Sequence, residues 1–402
     1  MFWQFIHIID IALWLLLAAS VVYILFFALV STLWKKRVSR LTRYLTGQAL
    51  AMRKKEHFSY LILFPAYNED RVIVNSVQKF LAQYYPYSCF HVTVISDHMQ
   101  PETNQKLSEL PITLLQPVFE KSSKAKAMQY AMDQIKDDYD YIVILDADNV
   151  VEPHFLEQLN EECAKGYKAI QCHRCAKNND NDIAVLDGVS EEINNTIFRK
   201  AHNRIGLSSA LIGSGMCFDF QWFKENVYKL TTAGEDRELE ALLLQQKVYI
   251  QYEPDIHVFD EKVSNKDNFQ KQRLRWMTAQ IQCLLRMLPN IPKAIMTFNL
   301  DYIDKTIQQA LIPRSMLVVG ALGMSLVMTV FSLLFSLSWY IKWWSLFLAV
   351  CIALYVATPK QLRKHSVFGK ILSLPKLVWK MAMNILKIDR KNTDFIHTSH
   401  DK

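Results

Sequence analysis

Two aspartates, Asp146 and Asp148, follow an apolar run over residues 141–145 and are separated by a single alanine. In an extended chain, residues two apart project to the same side. Carboxylates placed in this way offer the hard oxygen ligands that Mg²⁺ or Mn²⁺ prefers, with phosphate oxygens and water completing the coordination. The pair therefore predicts a divalent-metal site, although an aspartate-rich turn that binds nothing produces the same pattern.

A second acidic pair lies in Gly234-Glu235-Asp236, which opens a stretch of helical spacing over residues 237–246. Asp236 is a candidate general base, because a carboxylate can accept the proton of an attacking hydroxyl group. An aspartate in this position is also a suitable helix cap. The residue types leave both interpretations open.

The segment Gln272-Arg273-Leu274-Arg275-Trp276 carries groups that suit a phosphorylated sugar. A guanidinium group binds phosphate oxygens in pairs, and an indole offers a flat apolar face to a sugar ring. The alternative interpretation is a solvated basic face of a helix.

Strand-like and helix-like patterns alternate between residues 58 and 260. Apolar runs of strand length cover residues 60–64, 91–96, 111–115 and 141–145, and helical patterns cover residues 70–84, 121–136 and 153–163. This alternation predicts βαβ units and a mostly parallel sheet. Ligands bind beyond the carboxyl ends of such strands, so the polar residues that follow the runs become candidates: Asn68, Glu69, Asp97, Asp146 and Asp148.

Three long runs without charged residues lie near the two ends of the chain, at residues 11–34, 315–341 and 343–359. About 20 apolar residues span a bilayer core about 30 Å thick, so the runs predict three transmembrane helices. The last two are expected to form a hairpin with a tight turn at Lys342, where tryptophans suggest an interfacial belt. A signal peptide fits the first run poorly, because its apolar region would be only about 7–15 residues long and basic residues would precede it.

The net charge of +7 is unevenly distributed along the chain. Residues 35–57 and 358–402 each carry a net charge of +7, whereas residues 58–357 carry −6. The acidic body argues against nucleic acid as a partner. Basic segments beside membrane spans stay on the cytoplasmic side and attract anionic lipids, which predicts a cytoplasmic body and tail and an outward-facing amino terminus.

Cys172 and Cys175 have the C-x-x-C spacing of some metal and redox sites, within a total of seven cysteines. A zinc site of this type needs a second pair of ligands at suitable spacing, and the sequence shows no such pair. Cytoplasmic thiols stay reduced, so ordinary strand-end cysteines are the favoured interpretation.

In combination, the motifs resemble the membrane-bound family 2 glycosyltransferases, the group that includes cellulose, chitin and hyaluronan synthases. The resemblance covers residues 58–290 and rests on seven segments found in one order. They are Pro65-Ala66-Tyr67-Asn68-Glu69, Asp97, Lys124-Ala125-Lys126-Ala127, Asp146-Ala147-Asp148, Gly213-Ser214-Gly215-Met216, Gly234-Glu235-Asp236 and Gln272 to Trp276.

The resemblance implies a GT-A α/β domain, in which a mostly parallel sheet is flanked by helices, with about three transmembrane helices and interfacial helices. The implied organisation is a transmembrane helix at residues 5–34, a basic cytoplasmic linker at 35–57, the cytoplasmic catalytic domain at 58–276, interfacial helices at 277–312, a transmembrane hairpin at 314–358 and a basic cytoplasmic tail at 359–402. The chain is therefore expected to be a multi-pass protein of the cell membrane.

The resemblance also implies roles for individual residues. Asp236 is expected to act as the catalytic base beside Glu235, and Asp146 and Asp148 are expected to hold Mg²⁺ or Mn²⁺. Contacts to the donor are expected from Glu69, Asp97, Lys124, Asp146, Gln272, Arg273 and Arg275. Contacts to the acceptor are expected from Gly215, Met216 and Trp276.

The implied reaction is an inverting transfer of a sugar from a nucleotide-sugar, expected to be a UDP-sugar, to a sugar acceptor, with formation of a β-glycosidic bond. The expected role is synthesis of a cell-surface or capsular polysaccharide. A non-processive transferase that adds one sugar to a lipid-linked acceptor is the alternative, because polymer-exporting members of the family have more than three spans. An exporting chain of this size would need an export partner or an oligomer. A transporter or receptor is disfavoured, since no charged residue within the spans offers a substrate path.

We expect a reporter domain fused after Lys402 to lie in the cytoplasm, because the basic tail should return to the side that holds the basic linker. Paired reporters that are active on opposite sides of the membrane would measure this. As a control, replacing Lys35, Lys36 and Arg37 with glutamine should lower the fraction of chains whose tail lies in the cytoplasm. A reporter active only outside the cell would contradict the three-span arrangement.

Overall fold

The structure, a computed structural model, describes residues 2–34, 55–178, 182–232, 234–262, 266–335 and 338–363. The described residues fall into two compact units. The smaller comprises residues 2–34, 192–205 and 310–363, and the larger comprises the described parts of 55–191 and 206–309. Most of the predicted basic linker and most of the predicted basic tail, including the helical pattern at residues 374–388, lie outside the described residues.

The larger unit is built on an eight-stranded sheet. Its strands are β1 (Tyr60–Tyr67), β2 (Phe90–Asp97), β3 (Thr113–Leu115), β4 (Tyr141–Ile144), β5 (Val150–Val151), β6 (Ala169–Ala176), β7 (Met216–Asp219) and β8 (Ile250–Asp260). Their order is β3-β2-β1-β4-β7-β6-β8-β5. β7 runs antiparallel to β4 and β6, and β5 antiparallel to β8, while the other neighbours are parallel. The predicted mostly parallel sheet is confirmed.

Helices join most of these strands and flank the sheet. In chain order the α-helices are α1 (Phe2–Leu33), α2 (Ile73–Leu81), α3 (Pro101–Ser108), α4 (Lys124–Gln134), α5 (Phe155–Cys163), α6 (Asp182–Asn194), α7 (His202–Arg204), α8 (Phe220–Asn226), α9 (Glu235–Gln245), α10 (Lys266–Met287), α11 (Ile291–Met296), α12 (Leu300–Ala310), α13 (Arg314–Phe335), α14 (Tyr340–Ala357) and α15 (Lys360–Arg363). A π-helix, Asn195–Ala201, separates α6 from α7.

The alternation of side chains along β1 explains how the sheet holds two apolar layers. Tyr60, Ile62 and Phe64 belong to one buried cluster, and Leu61 and Leu63 belong to the other. Successive residues of a strand point to opposite faces, so a fully apolar run is what a sheet covered on both sides requires. Each large side chain buried in this way contributes about 1.5–3 kcal/mol.

The strand β1 extends three residues beyond the apolar run that ended at residue 64. A proline removes a ladder hydrogen bond, which is why the sequence pattern predicts an end there. The parallel partner β2 nevertheless stays in register through Pro65 and as far as Tyr67, which lies opposite Asp97. The two strands therefore end together, and their following polar residues lie at one edge of the sheet.

The smaller unit contains three helices that are long and apolar enough to cross a membrane: Trp3–Leu33, Arg314–Phe335 and Tyr340–Ala357. The predicted number of such helices is confirmed for the described residues. The helices α1 and α14 pack on each other, and Gly320 of α13 faces Leu17 of α1.

The predicted turn at Lys342 is wrong, because α14 begins at Tyr340 and Lys342 lies in its first turn. The Lys342 ammonium forms an ion pair with Asp10 of α1, and the other Asp10 oxygen accepts a hydrogen bond of 2.7 Å from Trp343 Nε1. Asp10 is only 2% exposed. A buried carboxylate is tolerated when it is paired and hydrogen-bonded, so this pairing explains how a lysine is accommodated inside the helix. The expectation that the spans hold no charged residue is therefore wrong for α1 and α14.

Candidate active site

The first residue of α4, Lys124, lies at the centre of the candidate site. Ser123 caps the helix by accepting a hydrogen bond from Lys126 N, which fixes where the helix begins. The Lys124 Nζ donates to Asp146 Oδ1 and to the Gly213 carbonyl oxygen, both at 2.5 Å. It also lies 3.7 Å from Glu235 Oε1. One ammonium therefore joins three segments that are far apart in sequence.

Charge and burial at Lys124 act in opposite directions. Burial alone would lower the pKa of its ammonium, but the carboxylates of Asp146 and Glu235 outweigh burial and raise the pKa above the ordinary value. The side chain is therefore a fixed positive charge at neutral pH. Such a charge is suited to holding an anionic group at this edge of the sheet.

The residues Asp146 and Asp148 lie in a turn after β4, so the extended geometry expected from the sequence is wrong. The turn is closed by Asn149 N, which donates to the Asp146 carbonyl oxygen at 3.0 Å. Asn149 Oδ1 also accepts from Asp146 N at 2.9 Å. The asparagine side chain thus holds the turn in place, while the Asp146 side chain stays 34% exposed and Asp148 is buried.

The donor set of the turn fits a divalent cation. Asp148 accepts hydrogen bonds from Asn149 Nδ2 at 3.1 Å and from Glu261 N at 2.9 Å, one on each carboxylate oxygen. Each ionised carboxylate oxygen has more than one lone pair, so these bonds orient Asp148 and leave its oxygens suited to coordination. Asp146 and Asp148 are the residues that would hold Mg²⁺ or Mn²⁺.

The turn is supported by a charged network that the sequence analysis missed. Asn149 Nδ2 also lies 3.3 Å from Asp260 Oδ1 at the end of β8. Asp260 Oδ2 accepts from Arg174 Nη2 at 2.6 Å and from Lys262 Nζ at 2.9 Å. Burial opposes ionisation of Asp260, but these two cations outweigh it and hold its pKa below the ordinary value. Asp260 ends a strand, so the strand-end criterion that selected Asp97 would also have selected it.

The segment Gly234-Glu235-Asp236 begins α9, with Gly234 as the N-cap residue. A Cβ atom added at Gly234 would lie 2.8 Å from the Ala279 Cβ of α10, so only glycine allows this approach. Glu238, one turn further, accepts hydrogen bonds from Thr231 N at 2.8 Å and Thr232 N at 3.0 Å. The start of the helix is therefore fixed from both sides.

Asp236 is half-buried and lies over the loop that precedes β7. A Cβ atom added at Gly213 would be 3.8 Å from Asp236 Oδ2. Asp236 Oδ1 accepts from Arg237 N at 2.8 Å. The N-cap residue of α9 is Gly234 and not Asp236. The Asp236 side chain instead lies beside Gly213, whose carbonyl oxygen accepts from Lys124.

The predicted acceptor residues Gly215 and Met216 are held by the sheet. Gly215 has a φ of +63°, and a Cβ atom there would lie 2.9 Å from Val258 Cγ2. Met216 on β7 is fully buried, in the core cluster that also contains Ile142 and Ile144 of β4. Any contact of Met216 with an acceptor would therefore have to come from its backbone.

The predicted donor residues Glu69 and Asp97 lie at the ends of β1 and β2. Asn68 N donates to the Asp97 carbonyl oxygen at 3.2 Å, which brings the two strand ends together. Asp97 is only 3% exposed, and its Oδ1 lies 2.5 Å from His98 Nδ1. The backbone nitrogen of Glu69 lies 3.1 Å from the Met99 sulfur. These residues form the second part of the same sheet edge.

The Q-x-x-R-W segment lies on α10, and its side chains are half-buried. Arg273 Nη2 donates to Asp187 Oδ1 at 2.6 Å, and its guanidinium lies 4.7 Å from the Trp276 ring centre. Gln272 Oε1 is buried and has no hydrogen-bond partner among the described residues. An orphaned buried acceptor costs free energy, which marks Gln272 as suited to a ligand donor. The roles of Gln272, Arg273, Arg275 and Trp276 stay predictions.

The protonation of Glu235 should make stability depend on pH. Burial raises the pKa of Glu235 to about 7, with Asp236 and Asp146 adding to the rise and Lys124 opposing it. The unfolded chain ionises this group near 4.5, so folding loses stability as pH rises from about 4.5 to 7. The loss has an upper bound of about 3–4 kcal/mol at about 1.4 kcal/mol per pKa unit.

The thermal unfolding midpoint of the wild-type chain should fall across this pH range. We expect Glu235→Gln to make this fall smaller. The measurement would use the full chain in detergent with EDTA present. Glu225→Gln, at an exposed position, is the matched control and should keep the wild-type slope. An unchanged slope in Glu235→Gln would contradict the assignment of this titration.

The family model described as "Glycosyltransferase like family 2" matches residues 58–279, more than half of the 402 residues. A comparison with curated protein sequences found no match. Among solved structures, a mannosyltransferase, PcManGT from Pyrobaculum calidifontis in complex with GDP-Man and Mn²⁺, has a TM-score of 0.48 at 15% identity and covers 85% of this chain and 98% of its own. The 1–349 segment of S. aureus TarS in complex with UDP-GlcNAc has a TM-score of 0.43 at 13% identity and covers 82% and 90%. At such low identities and TM-scores, the substrates of these two proteins are not assigned to this chain.

The family match and the fold support each other. The matched residues contain all eight strands, and their mostly parallel, helix-flanked sheet is of the GT-A type. The narrower resemblance to cellulose, chitin and hyaluronan synthases stays a prediction. The chain belongs to glycosyltransferase family 2.

Proposed function

We propose that this protein is an inverting glycosyltransferase that moves a sugar from a UDP-sugar to a sugar acceptor and forms a β-glycosidic bond, as a step in the synthesis of a cell-surface or capsular polysaccharide. The observation that carries the proposal is the meeting of three segments at Lys124. Its ammonium contacts Asp146, Gly213 and Glu235. The expected donor, acceptor and catalytic segments therefore share one small volume.

A single displacement needs a base on the acceptor side, and Asp236 is suited to that role. A sugar hydroxyl is a weak nucleophile, so its proton must be taken as it attacks. Asp236 is half-buried beside Gly213, whereas Glu235 is turned toward Lys124 and has its pKa raised to about 7. The two neighbouring carboxyl groups thus have different environments, which supports the assignment of the base to Asp236 and of a positioning role to Glu235.

Negative charge must be stabilised on the leaving side as the nucleoside diphosphate departs. A divalent cation bound at Asp146 and Asp148 would supply part of that stabilisation as a Lewis acid. Lys124 supplies a fixed positive charge beside Asp146. Gln272 and Arg275 are proposed to bind the diphosphate, with Glu69 and Asp97 on the nucleoside.

The larger unit carries an apolar surface that supports work at a membrane. Between α10 and α12, a group of side chains is at least 47% exposed: Leu285, Leu288, Ile295, Met296, Phe298 and Leu300. Met296 is 80% exposed and Phe298 is 86% exposed. Exposed apolar groups of this density mark an interaction surface, which supports the expectation of interfacial helices at residues 277–312. The cytoplasmic orientation of this unit is part of the proposal.

The same surface favours a second candidate, a non-processive transferase that adds one sugar to a lipid-linked acceptor. An amphiphilic acceptor would be held with its lipid in the bilayer and its sugar at the polar site. The same catalytic residues serve both reactions, so the size of the product distinguishes them.

The proposal predicts transfer from a UDP-sugar that depends on a divalent cation. Membranes containing the protein would be incubated with a panel of labelled UDP- and GDP-sugars, with Mg²⁺, Mn²⁺ or EDTA. We expect incorporation from one UDP-sugar, loss of incorporation in EDTA, and a β linkage in the product. A size distribution of long chains supports the polymer synthase, and a single addition to a lipid fraction supports the second candidate. Transfer from GDP-sugars alone, or retention of configuration, would contradict the proposal.

We expect Asp236→Asn to lower the transfer rate by at least about 100-fold, because it removes the base but keeps the size of the side chain. Donor binding, measured by calorimetry in detergent, should be retained. Asp255→Asn is the matched control, since Asp255 is exposed on β8. Wild-type turnover in Asp236→Asn would exclude this residue as the base.

A further inference from the structure

The neighbouring strands β6 and β8 bring together three side chains of the kinds that bind transition metals. His173 and Cys175 lie two residues apart on β6, and His257 lies opposite His173 on the parallel strand β8. One ligand atom of each lies within 4.8 Å of the other two, and all three side chains are half-buried. The proposed sugar transfer uses none of them.

Each imidazole ring has an oxygen atom near its Nδ1 atom. His173 Nδ1 is hydrogen-bonded to the Tyr252 hydroxyl, and His257 Nδ1 lies 3.8 Å from Glu152 Oε2. In metal sites a ligating histidine typically has its second ring nitrogen directed at such an oxygen, which fixes the ring and its tautomer. The hydrogen bond to Tyr252 fixes the His173 ring, and the Glu152 carboxylate is close enough to His257 to favour one orientation of its ring.

The register of the strands explains why the C-x-x-C spacing is misleading here. Cys172 is fully buried in the main core cluster, where burial raises the pKa of its thiol well above the ordinary value. Its partner in the motif, Cys175, is instead grouped with the two histidines. The side chains grouped with Cys175 therefore come from β8 and from His173, not from a second cysteine pair.

We propose that His173, Cys175 and His257 form a zinc site, with a water molecule as the fourth ligand. Two imidazoles and one thiolate are the ligand types that favour zinc over Mg²⁺ or Mn²⁺. Tetrahedral zinc with bonds of about 2.0–2.3 Å places its ligand atoms about 3.3–3.7 Å apart. Ligand atoms that are 4.8 Å apart must therefore approach each other by about 1.1–1.5 Å. The Cys175 thiol releases its proton to solvent when the Zn–S bond forms.

The position of the site gives the metal a structural role. Arg174 lies between the two β6 ligands and pairs with Asp260 at the end of β8. Asp260 contacts Asn149, and Asn149 donates to Asp148. A metal that joins β6 to β8 would hold the two strand ends on which the turn of Asp146 and Asp148 depends.

The test measures zinc bound to the full chain purified in detergent. We expect about one zinc ion per chain by mass spectrometry of the metal, and a loss of zinc affinity of at least about 100-fold in Cys175→Ser and in His257→Ala. Cys89→Ala and His154→Ala are matched controls outside the cluster and should keep the metal. Absence of zinc from the wild-type chain after incubation with the ion would overturn the proposal.

Cobalt substitution separates this site from the carboxylate site proposed for the donor. Cobalt bound by Cys175 gives a thiolate-to-metal absorption band, which the oxygen ligands of Asp146 and Asp148 do not give. We expect the band in the wild-type chain and in Asp148→Ala, and its loss in Cys175→Ser. A band that persists in Cys175→Ser, or one that Asp148→Ala removes, would overturn the assignment.

Discussion

The arrangement of the site depends on the contacts of one ammonium group, that of Lys124. Its bonds to the Asp146 carboxylate and the Gly213 carbonyl oxygen, and its closeness to Glu235, join the end of a strand, a loop and the start of a helix. Like charges would otherwise meet there, because Asp146, Glu235 and Asp236 are all acidic. Coulombic repulsion between carboxylates is strong where water is excluded, so a central cation allows them to stay close together.

The topology of the sheet explains why the loop reaches this point. β7 runs antiparallel to β4, with Met216 opposite Ile144, so β7 begins where β4 ends. Gly215 N donates to the Ile144 carbonyl oxygen at 2.9 Å, which fixes the loop at the carboxyl end of β4. In an all-parallel sheet the loop before β7 would lie at the opposite edge. One antiparallel strand therefore brings the expected acceptor segment to the expected metal ligands.

The sequence pattern was sufficient to predict β1 to β4, and it placed Asp97, Asp146 and Asp148 at or after their ends, because strand length and apolar content are local properties. The parallel pair β6 and β8 was not predicted. The central position of Lys124 was not predictable in this way, since it depends on partners 22 and 89 residues away. The turn conformation of Asp146 and Asp148 was missed because it depends on the Asn149 side chain. The grouping of Cys175 with His257 was missed because the register of β6 on β8 is set by the tertiary fold.

The ion pair of Asp10 and Lys342 has a consequence for how the smaller unit is assembled. The two residues are 332 positions apart, so α1 is synthesised long before its partner on α14 exists. Chains are made from the amino terminus and segments fold as they emerge, and a buried carboxylate without a partner is costly. The helix α1 is therefore made before the partners of its Asp10 carboxylate are available. The ion pair with Lys342 and the hydrogen bond from Trp343 can form only after α14 has been made, so the packing of α1 on α14 is completed late in synthesis.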